Sequence, residues 1–337
     1  MDLKCEPFVS VVTPFHNTEK YLTQCIQSVI AQRYNNWEYI LLNNCSSDDS
    51  MEIAKSFAKK DKRIKLLQTK KLLSQVENYN HALKQISNDS KYCKIVQADD
   101  WIFPDCLRQM VQNAEEKPTI GIVGSFFLKS RLLYQNGMPE LKKAISGREI
   151  CRLSILDEQN YFGNPTTMLF RSDIVRNRDP FYCKDSYFED TEACYEVLKN
   201  NDFGFVHQIL TYIRTENRDE SLSVIFSNFD PGYRLNALIH LVKHGPYFLS
   251  ENEFKKCLTI RENKYYEYLG KQYLFNRNQE FWQFHKKGLK TINRKISKNK
   301  IKKYCLLTIL NIIFNPKNTI EKLILTKKKK ITTTCNK

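Results

Sequence analysis

The stretch that decides the fold is VSVVTPFHNTEKYLTQCIQSVIAQRYNNWEYILLNNCSSD, residues 9–48. It begins with a β-branched run, continues with apolar residues that recur on one face of a helix, and returns to a second apolar strand at 37–44. Short strands that alternate with helices at this spacing predict βαβ units with right-handed crossovers. The predicted fold class is therefore α/β, with a mostly parallel central sheet.

The same alternation continues to about residue 128 and then loosens. In chain order, the further predicted elements are a helix at 50–60, a strand at 63–68, a helix at 75–87, a strand at 91–97, a helix at 104–116, strands at 120–128 and 163–170, a helix at 189–200 and a strand at 204–214. From about residue 230 the pattern is almost entirely helical. We predict an α/β domain over residues 1–228 and a helical, basic C-terminal region over 229–337.

Composition excludes several classes of protein. Because 42% of the 337 residues are hydrophobic, the chain can bury a core, and wholesale disorder is excluded. Its apolar runs are far shorter than the ~20 residues that a membrane-spanning helix needs. The 11 cysteines are scattered without a CxxC pair, which favours free thiols over a disulfide framework or a zinc site. With no apolar leader visible at the N-terminus, we expect a cytoplasmic protein.

The net charge of +16 is concentrated near the C-terminus. Residues 255–337 hold 22 of the 53 Lys/Arg but only 4 of the 37 Asp/Glu, which indicates a tail that meets an anionic surface. The segment 296–330 either lies in a membrane interface, with the protein peripheral at the inner face, or packs on the body with a solvated basic face. No basic sheet face with interleaved aromatic residues accompanies the tail, so no nucleic-acid partner is expected.

Polar clusters follow three of the predicted strands, at 13–17, 43–48 and 97–100. In an open α/β sheet, ligands bind outside the carboxyl ends of the strands, near the point where strand order reverses. No GxGxxG and no GxxxxGK[ST] follows the first strand, which disfavours dinucleotide dehydrogenases and P-loop NTPases. Adjacent Asp99 and Asp100 either bind a divalent cation that also contacts phosphate, or cap the following turn.

These motifs resemble those of family 2 glycosyltransferases with the GT-A fold. The matching segments, about two thirds of the chain, are residues 9–50, Gln75 to Asn80, KIVQADDW at 94–101, NPTTMLFRSDIV at 164–175, YFEDTEACYEVL at 187–198 and LTYIRTE…SLS at 210–223. The resemblance implies transfer of a sugar from a nucleotide-diphosphate donor, a UDP- or dTDP-sugar, to a hydroxyl of a saccharide or lipid-linked acceptor. It also implies inversion, Mn²⁺ or Mg²⁺ as cofactor, and a role in cell-surface polysaccharide synthesis.

On the donor side, the resemblance assigns residues that follow three strands and one in the third helix. They are Pro14, Phe15, His16, Asn17, Asn44, Asn80, Gln97, Ala98 and Asp99. The first three match the loop that packs against the nucleotide base. The chain departs from the family pattern at several points. The family commonly has Tyr where Phe15 or His16 stands, Asn44 replaces the aspartate that reads the pyrimidine edge, Cys45 replaces a glycine, and Gln97 replaces the first acid of Asp-x-Asp.

The resemblance also assigns the metal ligands, the base and the acceptor side. Asp99 is the principal metal ligand, with Asp100 assisting. Asp190 is the general base that takes the acceptor proton, and Glu189 raises its pKa or orients the acceptor. Acids in the first turn of a helix also complement the helix dipole, so a structural role for both residues stays open. The acceptor-side residues are Asn164, Pro165 and Thr166.

Three other functions are compatible with parts of the pattern. A nucleotidyltransferase also uses acidic metal ligands on an α/β sheet, but it needs no acceptor base and usually carries a glycine-rich loop after the first strand. A nucleic-acid-binding protein would use the basic tail alone. A non-catalytic glycosyltransferase-like protein would explain the departures at Asn44 and Gln97.

Overall fold

The structure is a computed structural model that describes residues 6–129, 132–134, 142–184, 186, 188–214, 232–274 and 277–314. The chain divides into two compact units, Met1–Ile225 and Phe226–Lys337. The predicted boundary after residue 228 falls within 215–231, outside the described residues, and stays a prediction.

The described part of the first unit contains ten strands, seven helices and one short 3₁₀ helix. The strands are β1 (Val9–Phe15), β2 (Trp37–Asn43), β3 (Ile64–Gln68), β4 (Tyr92–Ile95), β5 (Trp101–Ile102), β6 (Ile120–Lys129), β7 (Leu132–Tyr134), β8 (Ala144–Ile145), β9 (Leu169–Arg171) and β10 (Asp202–Ile213). The helices are α1 (Glu19–Ile30), α2 (Ser50–Ala58), α3 (Gln75–Leu83), α4 (Cys106–Ala114), α5 (Gly147–Asp157), α6 (Ser172–Arg176) and α7 (Glu189–Val197), and the 3₁₀ helix is Pro165–Thr167.

The strands form one mixed sheet in the order β3-β2-β1-β4-β9-β6-β10-β5, with β7 beside β6 and β8 beside β10. The long pairings are parallel: β1 with β2 and β4, β2 with β3, and β6 with β10. Antiparallel pairs involve short strands, chiefly β9, which lies between β4 and β6. The predicted α/β class with a mostly parallel sheet is confirmed.

The core of this unit is built from the stretch that decided the fold. Every residue of β1 and β2 is buried, as expected for strands of a covered parallel sheet. Helix α1 buries Leu22, Cys25, Ile26 and Val29, which recur at helical spacing and pack in the same hydrophobic cluster as the strands.

Strand order reverses beside β1, because β2 and β3 lie on one side of it and β4 on the other. The carboxyl ends of β1, β2 and β4 therefore meet at one edge of the sheet, since these pairings are parallel. This is the position where open α/β sheets bind their ligands, and it carries the three polar clusters.

The predicted strand at 163–170 is wrong in its first half. Residues Pro165–Thr167 form a 3₁₀ helix, and strand β9 begins only at Leu169. Asn164 caps the 3₁₀ helix, because its side chain accepts from the backbone N–H of Thr167 at 3.2 Å. Pro165 suits the first turn, since it has no N–H to leave unpaired. The side chain of Thr166, which lies in this turn and not in a strand, is completely buried.

The described part of the second unit is helical, as predicted. It comprises α8 (Tyr233–Phe248), α9 (Glu251–Leu274), α10 (Gln279–Lys290) and α11 (Lys298–Phe314). Tyr265 and Tyr266 are buried in it, whereas Tyr273 is exposed. Among the helices described in either unit, none has the length and apolar character needed to cross a membrane.

Candidate active site

The loops that follow β1 and β2 are joined by hydrogen bonds between side chains and backbone. The Nδ1 atom of His16 lies 2.8 Å from the backbone oxygen of Asn44. Asn17 adopts a left-handed conformation with φ of 50°, and its side-chain oxygen accepts from the backbone N–H of Ser47 at 2.8 Å. Two of the three polar clusters therefore form one continuous rim at the carboxyl edge of the sheet.

The predicted base-packing loop contains one exposed ring. Pro14 and Phe15 end β1, and the ring of Phe15 lies in the hydrophobic core with 2% of its surface exposed. It is therefore packed against protein and is not open to a nucleotide base. His16 is exposed at the rim, so the predicted stacking contact falls to its imidazole and stays a prediction.

Asn44 holds the loop that follows β3. Its side-chain nitrogen donates to the backbone oxygen of Leu73 at 2.9 Å, and its side-chain oxygen accepts from the Leu73 N–H at 2.9 Å. The buried amide is hydrogen-bonded through both its nitrogen and its oxygen, so Asn44 holds this loop in place. Its predicted contact with the edge of a nucleotide base stays a prediction. The next residue, Cys45, has φ of 55°, the left-handed region that favours glycine. This explains why the family prefers glycine there.

Asp100 is an internal anchor of the turn after β4. One of its oxygens accepts from the Thr166 hydroxyl at 2.6 Å, and the other accepts from the backbone N–H of Arg214 at 3.0 Å. Only 2% of its surface is exposed. The predicted role of Asp100 as an assisting metal ligand is therefore not supported by its placement, because both oxygens already have protein donors.

Asp99 is the acid of this turn that remains partly exposed. Ala98 before it is buried, and the side chain of Gln97 donates to the hydroxyl of Tyr79 at 2.8 Å. Within the described ranges, no three His, Cys, Asp or Glu side chains come together to hold a metal ion. Mg²⁺ is usually held by one or two carboxylates together with substrate phosphate oxygens and water, and Asp99 is the carboxylate of this turn that is exposed enough to share such an ion.

Thr166 supports the acidic turn from inside the protein. Its hydroxyl donates to Asp100 and accepts from the backbone N–H of Gln97 at 3.1 Å. Its carbonyl accepts from the fully buried ammonium of Lys94 at 2.7 Å, and burial lowers the pKa of that ammonium. Thr166 has no exposed surface, so its predicted place on the acceptor side is wrong. Asn164 is partly exposed and retains that prediction, whereas the adjoining proline, Pro165, is buried.

Tyr79 of α3 lies between the acidic turn and the acidic pair of α7. Its hydroxyl accepts from Gln97, and its ring meets the ring of Tyr182 edge-on at 6.0 Å. Burial raises the pKa of the Tyr79 phenol, and the negative charges of Asp99 and Glu189 raise it further. The charges of both acidic groups therefore act on this one phenol. Sequence reasoning missed Tyr79, although it directly precedes Asn80 in the matched segment.

Asn80 fixes the segment that leads into α7. Its side-chain nitrogen donates to the backbone oxygen of Tyr182 at 2.8 Å, and its side-chain oxygen accepts from the Tyr182 N–H at 2.8 Å. Because both polar atoms of the buried amide are hydrogen-bonded to backbone, Asn80 holds the backbone at Tyr182 in place. Its predicted contact with the sugar donor stays a prediction. The hydroxyl of Tyr182 has no hydrogen-bond partner within the described residues.

Glu189 and Asp190 begin α7 and are both partly buried. Asp190 accepts from the backbone N–H of Thr191 at 2.7 Å. Burial raises the pKa of both carboxyls, that of Glu189 to about 7, to which the negative charge of Asp190 also contributes. A carboxylate with a raised pKa in a cleft suits proton transfer near neutral pH.

Arg214 is a second residue that sequence reasoning did not assign to the site. At the end of β10, its Nε atom donates to the backbone oxygen of Asp99 at 3.0 Å. Its guanidinium lies over the ring of Tyr21, 4.4 Å from the centroid, and 5.2 Å from that of Trp101. The arginine thus ties the acidic turn to α1 and to the last strand. The sequence contained one indication of this role, because Arg214 lies in the segment LTYIRTE that matches the family pattern. Residues 215 and 216 of that segment lie outside the described ranges.

The strand order, with polar loops at the carboxyl ends of β1, β2 and β4, defines an α/β protein of the GT-A type. The chain belongs to glycosyl transferase family 2, whose family model matches residues 10–181. TuaG of Bacillus subtilis (strain 168), described as a teichuronic acid biosynthesis glycosyltransferase, is 26% identical over 166 residues, 49% of this chain and 63% of that protein. Two other bacterial glycosyltransferases are matched over 39% and 61% of their length, so the chain spans less than two thirds of each.

Solved structures share the fold at low sequence identity. TarS of S. aureus in complex with UDP-GlcNAc aligns with a TM-score of 0.61 and 16% identity, over 87% of this chain and 82% of that chain. The mannosyltransferase PcManGT of Pyrobaculum calidifontis, in complex with GDP-Man and Mn²⁺, aligns with a TM-score of 0.53 and 14% identity, over 94% of this chain and 83% of that one. These likenesses establish the GT-A fold of the chain.

Replacing Thr166 by the isosteric valine tests the internal anchor. Thr166→Val leaves the buried Asp100 carboxylate without one of its donors, so we expect the free energy of unfolding to fall by about 1–3 kcal/mol in urea denaturation. Thr211→Val is the matched control, because the buried Thr211 hydroxyl has no partner within the described residues and its loss costs nothing. Equal losses in the two variants would contradict the anchoring role.

Proposed function

We propose that this glycosyltransferase moves a sugar from a UDP- or dTDP-sugar to a hydroxyl of a saccharide or lipid-linked saccharide, with inversion at the anomeric carbon. The observation that carries the proposal is the placement of Tyr79, whose hydroxyl accepts from Gln97 of the acidic turn and whose ring contacts Tyr182, on the segment that leads into α7. Inversion in one displacement needs a leaving-group site and a base on opposite sides of the sugar, and we assign the first to the turn at Asp99 and the second to the acidic pair of α7. The bound donors of TarS and PcManGT, UDP-GlcNAc and GDP-Man, support a nucleotide-sugar substrate.

In this proposal Asp190 is the catalytic base. Its carboxylate takes the proton of the acceptor hydroxyl while the acceptor oxygen bonds to the anomeric carbon and the bond to the nucleoside diphosphate breaks. The hydrogen bond from the Thr191 N–H holds the carboxylate at the start of α7. Glu189 raises the proton affinity of the pair, because two neighbouring carboxylates resist ionising together.

The donor diphosphate would be held at the turn after β4. Asp99 would share a Mn²⁺ or Mg²⁺ ion with the phosphate oxygens, and the ion, when bound, neutralises charge on the leaving diphosphate. Thr166 and Arg214 keep the turn in place through Asp100 and through the backbone of Asp99. The Mn²⁺ in the PcManGT complex supports a divalent cofactor.

We extend the proposal to cell-surface polysaccharide synthesis at the cytoplasmic face of a membrane. The name of TuaG, which refers to teichuronic acid, supports a surface polysaccharide as product. The basic segment 296–330 supports contact with anionic lipid, although residues 315–330 lie outside the described ranges. A lipid-linked acceptor would be presented at this surface.

A thermal-shift screen of nucleotides and nucleotide-sugars, with and without Mn²⁺, tests the donor class. A ligand that binds the native state raises Tm by mass action, so we expect UDP or dTDP compounds to raise it and Mn²⁺ to increase the shift. A shift with nucleoside triphosphates alone, and release of pyrophosphate, would favour a nucleotidyltransferase. The absence of any shift would favour a non-catalytic protein.

Replacing Asp190 by asparagine tests the base. We expect Asp190→Asn to lower the transfer rate by about 100-fold or more, because a general base typically contributes that much, while the nucleotide-induced Tm shift is retained. Asp89→Asn is the matched control, since Asp89 is exposed and precedes the opposite, amino end of β4. Wild-type turnover in Asp190→Asn would remove this residue from the chemistry.

Replacing Glu189 by glutamine tests the order in which the two acids ionise. Because the charge of Asp190 helps to raise the pKa of Glu189 to about 7, Glu189 is still protonated while Asp190 ionises. The neutral amide of Glu189→Gln resembles that protonated acid, so we expect the acid limb of the pH–rate profile, which reports protonation of the base, to stay where it is in the unaltered enzyme. Glu196→Gln, in the last turns of the same helix, should also leave the profile unchanged. A limb that moves to lower pH in Glu189→Gln would show that Glu189 ionises before Asp190.

A further inference from the structure

The phenol oxygen of Tyr79 accepts hydrogen bonds from two side-chain amides. The Nε2 atom of Gln97 donates to it at 2.8 Å, and the Nε2 atom of Gln75, the first residue of α3, donates to it at 3.1 Å. A phenol has a single proton, so it can donate to no more than one of two amides. Both amides turn their nitrogen toward the phenol, which therefore acts as the acceptor for each.

The ring of Tyr79 is itself held in place. It lies on α3 with 6% of its surface exposed, and it meets the ring of Tyr182 edge-on at 6.0 Å. The next residue of the helix, Asn80, is hydrogen-bonded to the backbone of Tyr182 through both polar atoms of its amide. Burial raises the pKa of the phenol, which therefore stays neutral near pH 7. Tyr79 thus supplies a fixed, uncharged acceptor beside the acidic turn.

Gln97 has one polar atom that the protein does not use. Its backbone N–H donates to the Thr166 hydroxyl at 3.1 Å, its backbone oxygen accepts from the Asp100 N–H at 2.9 Å, and its side-chain nitrogen donates to Tyr79. Among the described residues, none donates to the side-chain oxygen Oε1. Because Gln97 is partly exposed and precedes Asp99 by two residues, this oxygen is the atom that it can offer to a ligand.

We propose that Tyr79 is a positioning residue that decides which end of the Gln97 amide faces the nucleotide-sugar donor. The two ends of a side-chain amide have nearly the same shape but opposite hydrogen-bonding character, since the oxygen accepts and the NH₂ group donates. A phenol that accepts from the nitrogen leaves the oxygen for the ligand. An oxygen suits a divalent cation or a hydroxyl group of the nucleotide, whereas an NH₂ group would repel the cation.

This role of Tyr79 explains how the chain accommodates Gln97 in place of the first acid of Asp-x-Asp. A carboxylate has two acceptor oxygens and presents one whichever way it turns. An amide has one acceptor oxygen, so it needs a neighbour that holds its nitrogen. The inference rests on the proposed donor site at the turn after β4. Its first test uses no nucleotide, so that its failure is distinguishable from a failure of the proposed function.

NMR of the full chain with isotope-labelled glutamine tests the orientation of the amide. The side-chain signal of Gln97 is identified by its loss in Gln97→Glu. We expect Tyr79→Phe to shift this signal and to speed the exchange of its NH₂ protons with water severalfold, because the acceptor is removed. An unmoved signal with unchanged exchange in Tyr79→Phe would overturn the inference.

The matched control is Tyr182→Phe. The Tyr182 hydroxyl has no hydrogen-bond partner within the described residues, and its ring contacts that of Tyr79. This replacement therefore removes a phenol oxygen from the same cluster without removing a hydrogen bond. We expect it to leave the Gln97 signal and its exchange rate as they are in the unaltered chain.

Calorimetric titration with UDP in the presence of Mn²⁺ tests the consequence for binding. We expect Tyr79→Phe to raise Kd about threefold to tenfold, the usual effect of one hydrogen bond. In a Gln97→Glu background the same replacement should change Kd less than about twofold, because the carboxylate presents an acceptor oxygen in any orientation. Equal weakening in the two backgrounds would show that Tyr79 supports the site only as part of the fold, and would overturn the inference.

Two further titrations identify the group that the Gln97 oxygen contacts. Weakening by Tyr79→Phe that appears with Mn²⁺ alone assigns the oxygen to the cation, and weakening that appears with UDP in the absence of metal assigns it to a hydroxyl of the nucleotide. If the NMR result holds but UDP binds to no variant, the proposed donor class is wrong and the orientation of the amide stands.

Discussion

The candidate active site depends on one buried carboxylate, that of Asp100. Its two oxygens accept from the hydroxyl of Thr166 and from the backbone N–H of Arg214, which join the end of β4 to the 3₁₀ helix and to the end of β10. A buried carboxylate without donors is strongly unfavourable, so these contacts must form together. The turn that carries Asp99 is thereby held between segments that are distant in the chain.

The segment that leads into α7 is arranged by buried amides and phenols. Asn80 pairs with the backbone of Tyr182, while Tyr79 accepts from Gln97 of the acidic turn and contacts the ring of Tyr182. Burial of the acidic pair raises the pKa of Glu189 to about 7. Burial thus makes both carboxyls of the pair harder to ionise than exposed acids, and a native state that raises the pKa of an acid loses stability as the pH rises.

Much of the architecture was predictable because local periodicity controls it. The alternation of strands and helices, the apolar face of α1 and the polar clusters at the strand ends all follow from patterns a few residues long. The strand predicted at 163–170 fails for an equally local reason, since Asn164 and Pro165 start a 3₁₀ turn. The pattern also identified Asp99, Glu189 and Asp190 as acids at element ends, and the charges of Asp99 and Glu189 both act on the buried phenol of Tyr79.

The fold class, the family and the positions at which polar residues leave the sheet all follow from patterns within the chain. Tertiary contacts decide which of these residues stay exposed at the carboxyl edge of the sheet and which are buried in hydrogen bonds to other elements. Phe15 turned out to be a core ring, and Asp100 and Thr166 turned out to be paired inside the protein. The physical reason is that a buried polar atom takes whichever donor or acceptor the fold brings within ~3 Å. Those partners lie at separations along the chain that no local pattern encodes.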